Sequence, residues 1–405
     1  MLCQFTFRNY RSYRDEAELS MQATPMKEFE RSLIVCPDGQ GFLPVAAVYG
    51  PNAGGKSNLL EALDYVRSAV ARPIRLLSAS ADTAEGDRPS IPRCSAFGFD
   101  DVSAAEPTEF ELYYRVGDHE YRYVLSVHAD EIVSEGLWRR KLGASRTAML
   151  FEREDTKVEL GPTLRKLVTA ARFNPILPYL SFLCINFDAP VVQEAASWFL
   201  DAVFLNYNSS YLERMLEQML DEGDSREVTR FLRAVDVRID GFRVERAREW
   251  RGQRVFVRHE VGGKSYELRL SEESAGTQKL MGLAAYLMTA LERGGTVVVD
   301  ELDAKLHPKL LRYVILLFKD PEVNKSGAQL IFSSQDVSTM RNDVFRRDEI
   351  WFAARGEGEA SQLWSLADIH EANGNLVSKN AAFDKQYLSG RYGADPYLTR
   401  IEEWD

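Results

Sequence analysis

Cysteine and histidine are scarce in this sequence, which limits the metal and redox chemistry it can support. The chain has four cysteines and five histidines in 405 residues. The cysteines are Cys3, Cys36, Cys94 and Cys184. They lack the C-x-x-C spacing of zinc or redox sites, and no histidine pairs with cysteines or carboxylates at metal-ligand spacing. We therefore expect free thiols and no zinc centre.

Long apolar runs are also lacking. No run approaches the ~18 residues that a membrane span requires. The first residues, MLCQFTFR, alternate apolar and polar side chains and reach a charge at Arg8, a pattern typical of a strand and not of a signal sequence. The sequence therefore predicts a cytoplasmic protein.

Positive charge is in deficit, with a formal net charge of -11. Such a balance does not favour a protein that coats nucleic acid, which requires clustered Lys and Arg. Arginines are nevertheless frequent in one stretch, at Arg238, Arg243, Arg246, Arg248, Arg251, Arg254 and Arg258. Interleaved glutamates favour a solvated sheet face there, while a nucleic-acid or partner surface stays open. The same alternatives apply to the cluster 139–141.

A glycine-rich loop at residues 50–57, GPNAGGKS, matches G-x-x-x-x-G-K-[ST] in full. An apolar run at 45–49 predicts a buried strand before it, and helical periodicity from 56 to about 70 predicts a helix after it. In this motif Lys56 reaches the β- and γ-phosphates, and Ser57 ligates Mg²⁺ at the helix N-terminus. The predicted nucleotide-binding residues are Gly50, Pro51, Asn52, Ala53, Gly54, Gly55, Lys56, Ser57 and Asn58.

Two adjacent carboxylates follow a second predicted central strand, TVVVD, at residues 296–300. The carboxyl end of such a strand lies at the sheet edge where phosphates bind. We expect Asp300 to join Ser57 in holding Mg²⁺ and Glu301 to polarise the attacking water. Glu301 and Lys56 are thus the predicted catalytic residues.

The pentapeptide SAGTQ, beginning at Ser274, opens a predicted helix that runs to Leu291. A serine and a glycine at a helix N-terminus can form a second anion site, although a plain N-cap is an equally good interpretation. Further along, His307 precedes Pro308. A structural role is favoured for this histidine over a catalytic one.

The order of these motifs resembles the ABC-type ATPase heads of the RecF, SMC and OLD-like group. The resemblance rests on FRNYRSY, the glycine loop, LSEESAGTQ, VVVDELDAKLHP and LIFSSQD. It implies an α/β fold with a mixed central sheet, an antiparallel β subdomain and a helical insertion. ATP and Mg²⁺ would be the cofactors.

In that family the signature of one subunit closes over the γ-phosphate held by another, in a head-to-tail dimer. The residues implied to act in trans are Ser274, Gly276, Thr277 and Gln278. Asp303 would be the D-loop aspartate, and Gln335 stands where a switch histidine often occurs. Because glutamine cannot take a proton as histidine does, the departure at Gln335 predicts slow turnover. The signature also departs from the fuller Ser-Gly-Gly-Gln form, and no residue is assigned to the Q-loop.

Three segments follow from this interpretation. Residues 1–146 are predicted to form an N-terminal ATPase lobe with the glycine loop and a β meander. Residues 147–236 are predicted to form a helical insertion, and residues 237–405 a C-terminal lobe with the signature, the acidic strand and a tail.

The C-terminal part, including YLSGRYGADP, resembles more narrowly the bacterial abortive-infection and phage-defence ATPases of the AbiL, RloA and PARIS AriA type. That resemblance implies a sensor that assembles as a dimer or larger oligomer and responds to a phage-derived trigger. It would control a separately encoded effector, such as a TOPRIM-like nuclease. The alternative is a RecF-like DNA-repair ATPase, against which the acidic charge and the absence of a predicted coiled coil count.

Overall fold

The computed structural model describes residues 1–78, 91–169, 172–206, 226–235, 237–246, 253–304, 306–371 and 374–394. The strands in these ranges are β1 (Leu2–Arg8), β2 (Ala17–Ser20), β3 (Ile34–Val35), β4 (Gly41–Phe42), β5 (Val45–Tyr49), β6 (Thr108–Val116), β7 (His119–His128), β8 (Glu131–Lys141), β9 (Thr147–Glu154), β10 (Lys157–Leu160), β11 (Val203–Asn206), β12 (Gly241–Arg246), β13 (Gln253–Val261), β14 (Lys264–Arg269), β15 (Thr296–Asp300), β16 (Gln329–Ser333), β17 (Ile350–Arg355) and β18 (Ser361–Ser365). The α-helices are α1 (Lys56–Ser78), α2 (Asp101–Ala105), α3 (Tyr179–Asn186), α4 (Pro190–Asp201), α5 (Arg226–Ala234), α6 (Ala275–Arg293), α7 (Pro308–Lys319) and α8 (Phe383–Leu388).

A six-stranded mixed sheet forms the centre, in the order β11-β15-β16-β5-β17-β18. Neighbouring strands run parallel except the antiparallel edge pair β17 and β18. β5 is buried along its whole length, as expected for a strand covered on both faces. Its side chains alternate between the two main cores, with Ala46 and Val48 in one and Val45, Ala47 and Tyr49 in the other. The central sheet therefore separates two hydrophobic layers.

A seven-stranded antiparallel sheet, in the order β10-β9-β8-β7-β6-β1-β2, lies on the layer formed by α1, α3 and α4. In β6 the buried residues fall on alternate positions, as a half-buried strand requires. Tyr114 and Tyr123 of this sheet pack edge-on against Phe199 of α4. The predicted α/β fold class, with a mixed central sheet and an antiparallel β subdomain, is confirmed.

The helical prediction from residue 147 onward is wrong at its start, where β9 and β10 complete the antiparallel sheet. The alternation of β9 is concealed because an arginine, Arg153, points inward, fully buried beside Glu135 of β8. The helical prediction near residue 190 is confirmed by α4, whereas SSYLERMLEQML lies outside the described residues. β11 then joins the central sheet beside β15. The division at 146 and 236 stays a prediction.

A three-stranded antiparallel sheet, β12-β13-β14, stands before α6. One face buries Val255 and Val257 in the core shared with α6, and β14 is exposed along its whole length. On the other face Arg243 pairs with Glu245 and Glu267. Paired arginines of this kind favour the solvated-face interpretation of the arginine-rich stretch. Arg248 and Arg251 lie outside the described residues.

Two further properties concern metals and membranes. The cysteines Cys3, Cys36, Cys94 and Cys184 are free thiols. Within the described ranges, no group of three or more His, Cys, Asp or Glu side chains is placed to hold a metal ion. In the same part of the chain, every helix is too short or too polar to cross a membrane.

Candidate active site

The glycine loop joins β5 to α1 and is pressed against the β17–β18 hairpin. A Cβ atom at Gly50 would lie 2.0 Å from the carbonyl oxygen of Ala353, and one at Gly55 would lie 2.5 Å from Ser361 Oγ. Both glycines also have positive φ, at 146° and 108°, which residues with a side chain rarely adopt. The glycines are therefore required by the approach of the hairpin as well as by the curl of the loop.

Lys56 is buried inside this loop. Its Nζ donates hydrogen bonds to the carbonyl oxygens of Gly50 at 2.8 Å and Pro51 at 2.9 Å. Burial lowers the pKa of Lys56, while the carboxylates of the acidic strand oppose that shift. Carbonyl oxygens do not neutralise the ammonium, so a desolvated positive charge is available for phosphate oxygens.

Asp300 meets the loop at the carboxyl end of β15. Its Oδ1 accepts hydrogen bonds from Ser57 Oγ at 3.2 Å and from Ser333 Oγ at 2.5 Å. Ser333 ends the neighbouring strand β16, and its Oγ also accepts the backbone N–H of Glu301 at 2.7 Å. The structure thus brings Ser57 and Asp300, the predicted magnesium ligands, into direct contact, and Ser333, to which the sequence assigned no role, holds Asp300 from β16.

Glu301 turns the chain out of the sheet. Its φ of 54° lies in the left-handed region, which a residue with a side chain occupies only under constraint from its surroundings. The constraint comes from β16, because Ser333 holds the Glu301 amide and its carbonyl oxygen accepts the Leu302 amide at 3.1 Å. Glu301 is consequently placed beside Asp300 at the edge where the glycine loop lies.

Asp303 links the acidic segment to the segment after β16. Its Oδ2 accepts the backbone N–H groups of Gln335 and Asp336, each at 3.1 Å. The predicted D-loop and switch positions therefore meet directly, although the Gln335 side chain itself is exposed. Among the described residues, Oδ1 of Asp303 is buried without a hydrogen-bond partner.

Residues near the N-terminus support the loop from the other side. Tyr13 Oη donates to the carbonyl oxygen of Gly55 at 3.2 Å, and Ser12 bonds Ser361 through both its carbonyl and its hydroxyl. Asn58, predicted to bind nucleotide, donates from Nδ2 to Ser12 Oγ at 2.7 Å. The segment FRNYRSY contributes to the family resemblance, but its sequence predicts no role for Ser12 or Tyr13.

Arg355 is a further residue that sequence reasoning missed. Its Nε donates to the carbonyl oxygen of Ala53 at 2.9 Å, and its guanidinium pairs with Glu359. Pro51, Asn52 and Ala53 form the outer part of the loop, so this arginine holds the loop at its exposed tip. A lone arginine at the end of an edge hairpin carries no sequence signal for such a role.

The signature segment begins α6 at an exposed position. Ser274 is the N-cap, and its Oγ accepts the Thr277 amide at 3.2 Å. Gln278 donates from Nε2 to the carbonyl oxygen of Glu273 at 2.6 Å, and a Cβ at Gly276 would meet nothing within 4 Å. The described residues show no hydrogen bond between this cap and the glycine loop. Within one chain the two predicted anion sites are therefore not joined.

His307 caps α7, with Nδ1 accepting the amide of Lys309 at 3.2 Å. The structural role favoured for this histidine is confirmed.

Comparison with known proteins places these motifs in one domain. The model of the family described as "AAA domain, putative AbiEii toxin, Type IV TA system" matches residues 45–341. The chain belongs to this AAA domain family. The matched span includes the glycine loop, the signature segment and the acidic strand, so the chain is a P-loop protein of the ATPase type. The narrower resemblance to AbiL, RloA and PARIS AriA stays a prediction.

Solved structures of SMC heads are also similar to the chain. The SMC head domain from Thermotoga maritima is 13% identical, with 90% of this chain and 98% of that chain covered and a TM-score of 0.40. The Smc head domain with an extended coiled coil, bound to the C-terminal domain of ScpA and derived from Pyrococcus furiosus, is 12% identical, with 90% and 96% covered and a TM-score of 0.41. No curated protein matches the sequence.

Proposed function

We propose that this AAA-family protein binds Mg²⁺-ATP in the glycine loop, hydrolyses it and uses the nucleotide as a switch. The observation that carries the proposal is the junction at Asp300, where the first turn of α1 and the ends of β15 and β16 meet within hydrogen-bond distance. The buried ammonium of Lys56 lies in the loop that begins α1. This grouping supplies in one place the cation, the hydroxyl and the carboxylates that phosphoryl transfer uses.

The residues present fit a magnesium–nucleotide complex. Mg²⁺ prefers oxygen ligands and binds commonly through one or two protein oxygens together with phosphates. Ser57 Oγ and Asp300 Oδ1 would supply those oxygens. When bound, the ion would neutralise charge that develops on the phosphates. Lys56 would bind phosphate oxygens, and Glu301 would orient and polarise the attacking water.

The signature segment would act between two copies of the chain. The cap at Ser274 is exposed and the space beside Gly276 is open, and in the described part of the chain no hydrogen bond joins either to the glycine loop. We propose that this cap binds the phosphates held by another copy, so that two chains complete each other's sites head to tail. Nucleotide binding and hydrolysis would then control assembly and release, which a partner protein can detect.

The biological role that we propose is a sensor in anti-phage defence. The family description names a toxin of a type IV toxin–antitoxin system, and the tail resembles abortive-infection ATPases. The chain would respond to a phage-derived trigger and control a separately encoded effector, such as a TOPRIM-like nuclease. The DNA-repair alternative is less well supported, because Arg243 and Arg258 are already paired with Glu267.

Mixing two inactive variants tests the composite site. Lys56→Ala removes the loop cation, and Ser274→Arg blocks the cap. In a mixed dimer one site carries both lesions and the other carries none, so we expect ATPase activity to reappear on mixing. Ser265→Arg, at another exposed serine on β14, is the matched control and should stay active. Failure of the mixture to recover activity, with each variant folded, would exclude catalysis in trans.

The effector is tested by purifying the tagged chain from its native operon with and without Mg²⁺-ATPγS. We expect a neighbouring gene product to co-purify in one nucleotide state and not in the other. A chain that is isolated alone in both states would contradict the sensor role.

A further inference from the structure

A histidine of the three-stranded sheet is bonded to the residue just before the signature cap. His259, on β13, has Nε2 at 2.6 Å from Oε1 of Glu273, and its Nδ1 lies 3.0 Å from the carbonyl oxygen of Arg238. The side chains of His259 and Glu273 are 22% and 12% exposed, so the contact is largely screened from water. One imidazole therefore joins β13, the loop before β12 and the start of α6.

Both neighbours of this ring are hydrogen-bond acceptors. A backbone carbonyl oxygen only accepts hydrogen bonds, and an ionised carboxylate also only accepts. His259 is therefore the group that can donate to Glu273 across this contact, and the contact is an ion pair when the ring is protonated.

The position of Glu273 gives this ion pair a consequence for the signature. Glu273 directly precedes the Ser274 cap, and its carbonyl oxygen accepts the Gln278 side chain. An unpaired carboxylate here would stand beside the exposed helix N-terminus and repel an incoming phosphate. The other nearby carboxylate, Glu272, is already engaged, with Oε2 accepting the Arg269 amide at 2.7 Å.

We infer that His259 is a positioning residue for nucleotide-dependent association. It pairs with Glu273 and holds that side chain on β13, so that the cap at Ser274 can receive the phosphates of a nucleotide bound to another copy. The inference rests on the proposed function, because it assumes that the cap acts in trans.

The test measures association of the full chain by sedimentation velocity while ATPγS is titrated. We expect His259→Leu to raise the half-saturating ATPγS concentration about tenfold, because a charge is left unpaired beside the phosphate site. The double variant His259→Leu with Glu273→Gln removes that charge and should return to within about threefold of the parent protein. His128→Leu, at an exposed histidine on β7, should have no effect.

Either of two results would overturn the inference: normal association of His259→Leu, or a double variant as weak as His259→Leu alone. Should the leucine variant unfold, His259→Gln keeps a donor without the charge, and it should again be weaker than His259→Gln with Glu273→Gln. Ser274→Arg in the same assay distinguishes failure of the proposed trans cap from failure of the role of His259. If it associates normally, the proposed trans cap fails; if it alone loses association, only the role of His259 fails.

Discussion

The two halves of the proposed composite site differ in how much of their geometry is built within one chain. The glycine-loop half is packed and bonded: Gly50 lies against β17, Lys56 is buried, and Asp300 joins two serines. The signature half is an exposed helix cap with open space at Gly276. The pre-formed glycine-loop half is suited to holding a nucleotide in the monomer. The exposed signature half is suited to contacting a nucleotide that is bound to another copy.

This difference predicts where substitutions act. Changes in the glycine-loop half should alter folding or nucleotide binding of the single chain. Changes in the signature half should weaken neither property and should act mainly on association. Three experiments test this distinction, and they are given in order of decreasing expected effect.

The largest effect is expected for Lys56→Ala. Removing the cation that binds the β- and γ-phosphates should weaken ATP binding by about 4 kcal/mol, or about a thousandfold. Equilibrium binding of a fluorescent ATP analogue measures this. Lys157→Ala, at an exposed lysine of β10, should bind normally, and Ser274→Arg should bind as the wild type does in the monomer. Nucleotide affinity retained in Lys56→Ala would remove the loop from the proposed site.

A matched pair of glycine substitutions should act in opposite directions. Gly50→Ala forces a Cβ into the Ala353 carbonyl and should lower the free energy of unfolding by about 3 kcal/mol. Gly276→Ala meets open space in the first turn of α6 and should raise it by up to ~1 kcal/mol, because alanine favours helix. Urea unfolding measures both.

Although it should be more stable, Gly276→Ala should lose ATPγS-dependent association, because its methyl group narrows the space offered to a phosphate. Gly39→Ala, with positive φ but no neighbour within 4 Å, controls for backbone strain alone and should lose only about 1–2 kcal/mol. Equal destabilisation by Gly50→Ala and Gly39→Ala would show that the hairpin does not constrain the loop.

The smallest effect is expected from a change in pH. It should act on the glycine-loop half alone, because Lys56 titrates whereas the Ser274 hydroxyl does not in this range. Burial lowers the pKa of Lys56, with Asp300, Asp303 and Glu301 opposing the shift. The cation is the form that binds phosphate, so ATP affinity should begin to fall at a lower pH than it would with an exposed lysine.

Stability of the nucleotide-free protein should change in the opposite direction. Between the lowered pKa of the folded state and the unfolded value of about 10.4, the unfolded chain binds more protons. The free energy of unfolding should therefore rise with pH in that interval. Urea unfolding and ATP binding up to about pH 10 measure both trends, and Lys56→Met should abolish the contribution of this residue to each. Parallel trends in the wild type would contradict the buried position of Lys56.

Local patterns were sufficient to predict β5, the glycine loop, α1, α6 and β15. Each depends on periodicity or on a cap within a few neighbouring residues, such as the Ser274 cap of α6. Prediction failed at β9, where the inward Arg153 is stabilised by Glu135 from another strand. An arginine does not mark a core position in the sequence, because only the partner that it meets in the fold explains its burial.

Side chains that complete the site were missed for a related reason. Ser333 reaches Asp300, Arg355 reaches Ala53, and Tyr13 reaches Gly55. Each of these contacts joins segments that lie far apart in the sequence and meet only through the order of strands in the sheets. Serine, arginine and tyrosine are common residues, so none of the three identifies its own role by residue type.

Short motifs are enough to predict the chemistry that the protein can offer: a phosphate-binding loop, a lysine, two carboxylates and a helix cap. How these parts are divided between a built site and an exposed one depends on the tertiary structure. The loop is joined to the acidic strand because β15, β16 and β5 are parallel neighbours in the mixed central sheet, while Ser274 is left exposed at the start of α6. The tertiary structure also places His259 against Glu273, a pairing that depends on the position of β13 beside α6 and that no periodicity could indicate.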